Sequence, residues 1–252
     1  MSRLVPAVVK PTAQMMEGKV NVFVIADLCS NAAPFHPPLM FDQEPGTLTA
    51  SIRSAARSGA SAAKVQVFTR SHFPKEEREA KRHVEFPRGH LPFFVRICHD
   101  YGVQAGASVF DEHAVDACVD AGMDFLKLAT REYLNDRLLD SALETNLPVY
   151  VSVPWTVEFF RVPSRRKKET FMACFSQYPT LAWGGIPEAA RWLGERWGWS
   201  SHTPHYQDVL QAVAAGAAII EKHLALSPDD PEAAWSLLPQ QMKEMVDAIK
   251  SA

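Results

Sequence analysis

Apolar and β-branched segments of four to eight residues recur along the chain, each followed by a stretch with one apolar face at helical spacing. The strand-like segments fall at 20–27, 62–68, 104–109, 125–128, 148–153, 171–175, 198–200 and 218–222. Helical periodicity occupies 47–57, 91–101, 112–120, 135–144, 187–197 and 206–215, with a last helix at 239–249. Gly59, Gly102 and Gly122 follow helices where a left-handed cap is needed, and Pro187 and Pro239 stand in first turns. Strands alternating with helices predict a parallel sheet covered by helices. Eight strands within 252 residues predict a single-domain (β/α)8 TIM barrel, with a doubly wound sheet as the alternative. No linker or shift in composition divides the chain.

Composition narrows the function. The chain is 47% hydrophobic and 22% charged, which is ordinary globular usage rather than that of a disordered or fibrous protein. A formal charge of -3 offers no general attraction to nucleic acid or to an anionic membrane. The longest apolar runs, 20–26 and 212–220, are of strand length, well short of the roughly 20 residues that span a bilayer. Residues 1–10 lack the charged-then-apolar order of a signal peptide, so the expected location is cytoplasmic. Cys29, Cys98, Cys118 and Cys174 show neither zinc-site nor disulfide spacing and read as reduced, buried thiols. Between the fifth and sixth strands, 154–170 has no helical period and carries Arg161, Arg165, Arg166, Lys167 and Lys168. That segment is either a solvated basic loop or an anion-binding loop at the barrel mouth.

A barrel of this kind places its chemistry at the C-terminal ends of its strands. The polar residues there are Asp27, Lys64, Gln66, Ser108, Lys127, Thr130, Glu132, Ser152, Ser176, Tyr178, Ser200, His202, Glu221, Lys222 and His223. Lysines inside the otherwise apolar strands AAKVQVF and FLKLA carry the strongest signal, because a buried ammonium needs an anionic or hydrogen-bonding partner. Internal pairing with Glu221 or Asp27 would satisfy either lysine alone. Both together, with Ser and Thr on four other strands, describe a pocket for a small dianion. His202 in SSHT and His223 in EKHL would be neighbours at the mouth, either as structural histidines or as two ligands of a divalent metal.

The ordered segments VFVIADL, AARSGASAAKVQVF, FLKLATRE, LPVYVSV, SQYPT, GWSSHT and AAIIEKH, followed by LLPQQMKEMVDAI, resemble the sialic acid (N-acetylneuraminate) synthases. That resemblance implies a (β/α)8 barrel and a condensation of phosphoenolpyruvate with an aldose or other aldehyde, giving a 2-keto acid and phosphate. It implies that Lys64 and Lys127 hold phosphoenolpyruvate, with Ser108, Thr130, Ser152 and Ser200 around its phosphate and carboxylate. It also implies that His202 and His223 bind Mn2+ or Mg2+, that Glu132 handles the attacking water, and that Gln66 and Tyr178 line the acceptor side. The sequence departs from the family at several points: Asp27 stands where Glu is usual, Ser176 where Asn is usual, and Ser201 where Asp is usual. SNAAPFHPP replaces a His- and Gly-containing turn, and in SPDDPEAAW the family Asp is represented by Glu232 or Asp230.

Most of these departures lie on the acceptor side, so the expectation is a kept first substrate and a changed second one. The chain is read as 1–252 with an extension at 1–19 and without the family's C-terminal antifreeze-like domain, which supplies an Arg to the sugar's N-acetyl group. Family members are commonly dimers, which makes a homodimer one expectation. Two other readings stand beside the synthase: a metal-dependent aldolase or lyase of 2-keto acids, and a barrel that binds a ligand or partner without turnover.

Overall fold

A computed structural model describes residues 21–32, 47–81, 84–155, 168–181 and 184–252. The expected extension at 1–19, most of SNAAPFHPP, Trp183 and the basic residues Arg161 to Lys167 lie outside the described residues. Eight parallel strands close into a barrel in sequence order. They are β1 (Phe23–Asp27), β2 (Ala62–Val67), β3 (Gln104–Val109), β4 (Phe125–Leu128), β5 (Val149–Pro154), β6 (Glu169–Cys174), β7 (Gly198–Ser201) and β8 (Ile219–His223). The helices are α1 (Thr47–Arg57), α2 (Arg78–Lys81), α3 (Leu91–Asp100), α4 (Glu112–Asp120), α5 (Asp136–Glu144), α6 (Ile186–Leu193), α7 (Gln207–Ala214) and α8 (Pro239–Ser251). Among the described residues, no helix is long and apolar enough to cross a membrane.

The barrel thus stands in place of the doubly wound alternative. Gly59, Gly102 and Gly122 take the left-handed backbone expected of them, with φ of 82°, 73° and 80°. Most element ends fall within three residues of the periodicity, and two differences are larger. α6 stops at Leu193 rather than 197, because Gly194 follows at φ 88° and the chain turns into β7. The short α2, after β2, has too few residues for a hydrophobic period to register.

Alternation along each strand sorts two cores. Outward-facing residues such as Val24, Val65, Leu126 and Val151 pack with the helices in one large apolar cluster. Inward-facing Ile25, Ala62, Phe125, Tyr150, Met172 and Ile219 form a second, smaller cluster that plugs the lower barrel. The plug is aromatic, with Phe125 edge-on to Phe23 at 5.9 Å and to Tyr150 at 5.3 Å between ring centroids. Above it the inward positions change to Asp27, Lys64, Ser108, Lys127, Ser152, Ser200 and Glu221, all buried. Register brings these together: Asp27 pairs with both Lys64 and His223, Ser108 with Lys127, and Ser200 with Glu221. The sequence therefore closes the barrel with an apolar base and lays a polar floor at the C-terminal ends of the strands.

Gly106 shows how tightly the plug is built. A Cβ there would lie 1.9 Å from Cζ of Phe125, so the ring fills the space of the missing side chain. Gly106→Ala is expected to destabilise the fold by about 1–3 kcal/mol through overpacking. Gly89→Ala, where a Cβ meets nothing within 4 Å, should leave stability unchanged. Chemical denaturation of both variants checks this, and equal midpoints would contradict the packing account.

Candidate active site at the barrel mouth

Four charged side chains make the floor of the site. Lys64 Nζ donates to Asp27 Oδ2 at 2.7 Å and to Ser108 Oγ at 2.8 Å, and lies 3.7 Å from Glu221 Oε2. Lys127 Nζ donates to Glu221 Oε1 at 2.5 Å, and Ser200 Oγ donates to the same oxygen at 2.9 Å. Burial by itself would lower the Lys64 pKa, but the charges of Asp27 and Glu221 outweigh it and raise it. Burial likewise pushes Glu221 up, and Lys127 with Lys64 outweighs that and holds it ionised. The internal pairing left open by the sequence is therefore real, and both lysines still face the cavity above them.

That cavity has a volume of about 610 Å³. Asp27, Lys64, Ser108, Lys127 and Ser200 form its base, and Gln66, Thr130, Ser176 and Tyr178 contribute from its sides. His202, His223 and Glu232 also line it. Two expected residues do not. Ser152 is fully buried beneath it, with a hydroxyl that finds no hydrogen-bond partner. Glu132 sits on the turn after β4, where its carboxylate accepts from Asn135 Nδ2 at 3.0 Å and lies 3.4 Å from Arg131 Nε. Arg131, from the same turn, does line the cavity, its guanidinium over the rings of Phe73 and Phe110 at 4.8 and 5.6 Å.

The histidines are held differently from one another. His202 Nδ1 donates to the carbonyl of Phe175 at 2.9 Å, which leaves Nε2 as the nitrogen with a free lone pair. Its ring packs against Tyr178 at 4.2 Å and His223 at 5.2 Å between centroids. Asp208 fixes the loop that carries it, accepting from Trp199 Nε1 and Thr203 Oγ1, each at 2.8 Å. His223 Nδ1 lies 2.9 Å from Glu232 Oε2, and its Nε2 lies 3.6 Å from Asp27 Oδ2. Buried Lys222, on the outer face of β8, ties the two loops together by donating to Ser201 Oγ at 3.2 Å and to the carbonyls of Thr203 and Trp235. Burial lowers its pKa to about 8, and the nearby charge of Asp208 offsets this only in part.

Of the two expected metal ligands, His223 alone belongs to the group that the structure assembles. Cys29 Sγ, a nitrogen of His223 and an oxygen of Glu232 lie within 4.8 Å of one another, the group among the described residues that could hold a metal ion. His202 is adjacent to this group rather than part of it. Of the two acids offered for the last loop, Glu232 is the one at the site; Asp230 instead caps a turn, accepting from the backbone N–H of Leu226 and Ser227 at 2.7 and 3.1 Å. Burial pushes the Glu232 carboxyl up, but His223 together with hydrogen bonds from Cys29 and Ser30 holds it down at about 2. Cys29 and Cys174 were both expected as inert core thiols, and both line the cavity. Cys29 stands two residues beyond Asp27, so strand-end position alone could have found it. Cys174 ends β6 and lies 3.7 Å from His202 Nδ1.

The model of the NeuB family matches residues 51–252. Among characterised relatives, N-acetylneuraminate-9-phosphate synthase of Drosophila melanogaster is 29% identical over 185 residues, 68% of this chain and 50% of that protein. N,N'-diacetyllegionaminic acid synthase of Legionella pneumophila is 25% identical over 173 residues, 62% of this chain and 49% of that protein. This chain thus spans about half the length of each. Pseudaminic acid synthase of Campylobacter jejuni is 25% identical across 92% of this chain and 74% of that protein. In fold, the chain is similar to the N-acetylneuraminic acid synthetase of Leptospira borgpetersenii, with a TM-score of 0.79 at 22% identity, over 93% of this chain and 84% of that one.

Removing one charge from the floor should be costly. Glu221→Gln leaves two buried ammonium groups facing one carboxylate and is expected to destabilise the protein by about 3–5 kcal/mol. Urea unfolding measures it, and wild-type stability would show that the lysines are compensated in some other way.

Proposed function

Because the chain belongs to the NeuB family, we propose that it condenses phosphoenolpyruvate with an aldose or other aldehyde, forming a carbon-carbon bond and releasing phosphate from a 2-keto acid product. The observation that carries this reading is the pair of buried lysines on separate strands, facing the cavity at the barrel mouth with serine hydroxyls beside them. Phosphoenolpyruvate presents a phosphate and a carboxylate close together, and Lys64 and Lys127 would meet both. Ser108, Ser200 and Thr130 add hydroxyl donors, and the unpartnered hydroxyl of Ser152 lies behind them. These groups are fixed by the barrel before substrate arrives, so they stabilise charge that develops on the substrate without rearranging.

Carbon 3 of phosphoenolpyruvate attacks the aldehyde carbon, and water adds at carbon 2. The tetrahedral product then expels phosphate by breaking the bond between carbon 2 and oxygen. His223, Glu232 and Cys29, with His202 beside them, would hold a divalent cation, whose chemistry is to polarise the aldehyde oxygen. The resemblance implies a carboxylate that takes the water's proton, with Glu132 expected in that role. Glu132 is held outside the cavity lining by Arg131 and Asn135, whereas Asp27 is already in it. Asp27 is therefore assigned that role, with Glu132 bracing Arg131. The acceptor would sit against Gln66, Tyr178 and the aromatic wall of Phe68, Phe73 and Phe110.

Phosphate release from phosphoenolpyruvate, measured across a panel of amino sugars and plain aldoses, tests the reading. Lys127→Met is expected to lower kcat/KM by about 10²–10³-fold, the cost of losing one preorganised donor. Asp27→Asn should lose more activity than Glu132→Gln. Cleavage of a 2-keto acid without phosphate release would favour the aldolase reading instead, and unaltered turnover in Lys127→Met would remove the lysine pair from the account.

A further inference from the structure

We propose that the metal centre of this chain is a thiolate site, built by Cys29 with His223 and Glu232, and that it selects zinc, cobalt or ferrous iron over magnesium. The proposal stands on the ligand geometry and does not depend on which substrates the cavity takes. Cys29 Sγ lies 3.0 Å from Glu232 Oε1, and the other oxygen of that carboxylate lies 2.9 Å from His223 Nδ1. One carboxylate thus bridges a thiol and an imidazole, and one ligand atom from each of the three residues lies within 4.8 Å of the others. Ligands about 2.0–2.3 Å from a tetrahedral cation stand about 3.5 Å apart, so opening these hydrogen bonds by about half an ångström suffices to admit an ion.

The backbone supports the arrangement. Cys29 is held at φ 33°, in the left-handed region that a residue with a Cβ seldom occupies, and such strain recurs at functional sites. Its N–H donates to Asp27 Oδ1 at 3.1 Å. Asn31 then clamps the opposite loop: its Oδ1 accepts the N–H of Glu232 at 2.8 Å, and its Nδ2 donates to the carbonyl of Leu224 at 3.0 Å and to Ser236 Oγ at 2.9 Å. The turn after β1 and the loop after β8 are therefore joined around the three donors, which is the outer support that metal ligands require.

Charge and softness decide the ion. When a divalent cation binds, the Cys29 thiol proton leaves to solvent and the sulfur binds as thiolate. Thiolate and carboxylate together cancel a charge of two, and the buried centre stays neutral beside the already balanced lysines. Two histidines with one carboxylate would leave a net positive charge there. Magnesium takes oxygen ligands in octahedral geometry, while a sulfur, nitrogen and oxygen set suits zinc, cobalt and iron. This replaces the manganese-or-magnesium expectation that the family resemblance implied.

Cobalt titration of the chelator-stripped full chain, followed by absorbance, tests the site directly. The wild type should develop the near-ultraviolet sulfur-to-cobalt charge-transfer band and the visible bands of low-coordinate cobalt. Cys29→Ser and Cys29→Ala, shown to be folded by circular dichroism, should lose the charge-transfer band. Cys174→Ser, which removes the other thiol lining the cavity, should keep it. Zinc should abolish the signal, whereas magnesium in roughly 100-fold excess should not. Absence of the band in the wild type, its persistence in both Cys29 variants, or its loss to magnesium would each overturn the proposal.

Discussion

Two lysines inside a barrel can be tolerated only if their charge is matched, and the Asp27, Lys64, Glu221 and Lys127 cluster does this with two carboxylates against two ammonium groups. The rest of the structure serves that balance. Strand register sets Asp27 beside Lys64, while Lys127 and Lys64 reach the two oxygens of Glu221 from separate strands. The aromatic plug beneath keeps the lower barrel dry, and a low-dielectric base strengthens every charge interaction above it. A break in either layer would leave an uncompensated charge in the interior.

The same balance gives the cavity its character. An anion entering from above meets ammonium groups already oriented, with hydroxyls at their sides. The opposite wall is apolar and aromatic, with Arg131 laid across it. Between these walls stand His202, His223, Glu232 and Cys29, on loops that Asp208, Lys222 and Asn31 tie down. Placement of the chemistry therefore depends on buried polar anchors in the loops and on the outer face of β8 as much as on the inward-facing strand positions.

The barrel was legible because its signal is repetitive: eight short apolar runs separated by capped helices leave few alternatives. Lys64 and Lys127 were legible for a different reason, since a charge inside an apolar strand contradicts its surroundings and demands a partner. Cys29 was passed over, because a cysteine in an apolar neighbourhood reads as a small hydrophobe; its place just past a strand end marks it as near the mouth, but only the meeting of the turn after β1 with the loop after β8 brings it to Glu232. The choice of Glu232 over Asp230 was hidden in the same way. Both acids fit the sequence, and the turn that consumes Asp230 appears only in three dimensions. Arg131 stood next to a residue singled out by motif, yet the turn after β4 aims Arg131, and not Glu132, at the cavity.

The central claim is that the lysine pair forms a binding site for phosphoenolpyruvate. Calorimetric titration of the unmodified protein with phosphoenolpyruvate, in the presence of a divalent metal and the absence of acceptor, tests it most directly. The account predicts saturable binding at one site per chain that weakens as salt rises. No binding, or binding that does not respond to salt, would contradict it.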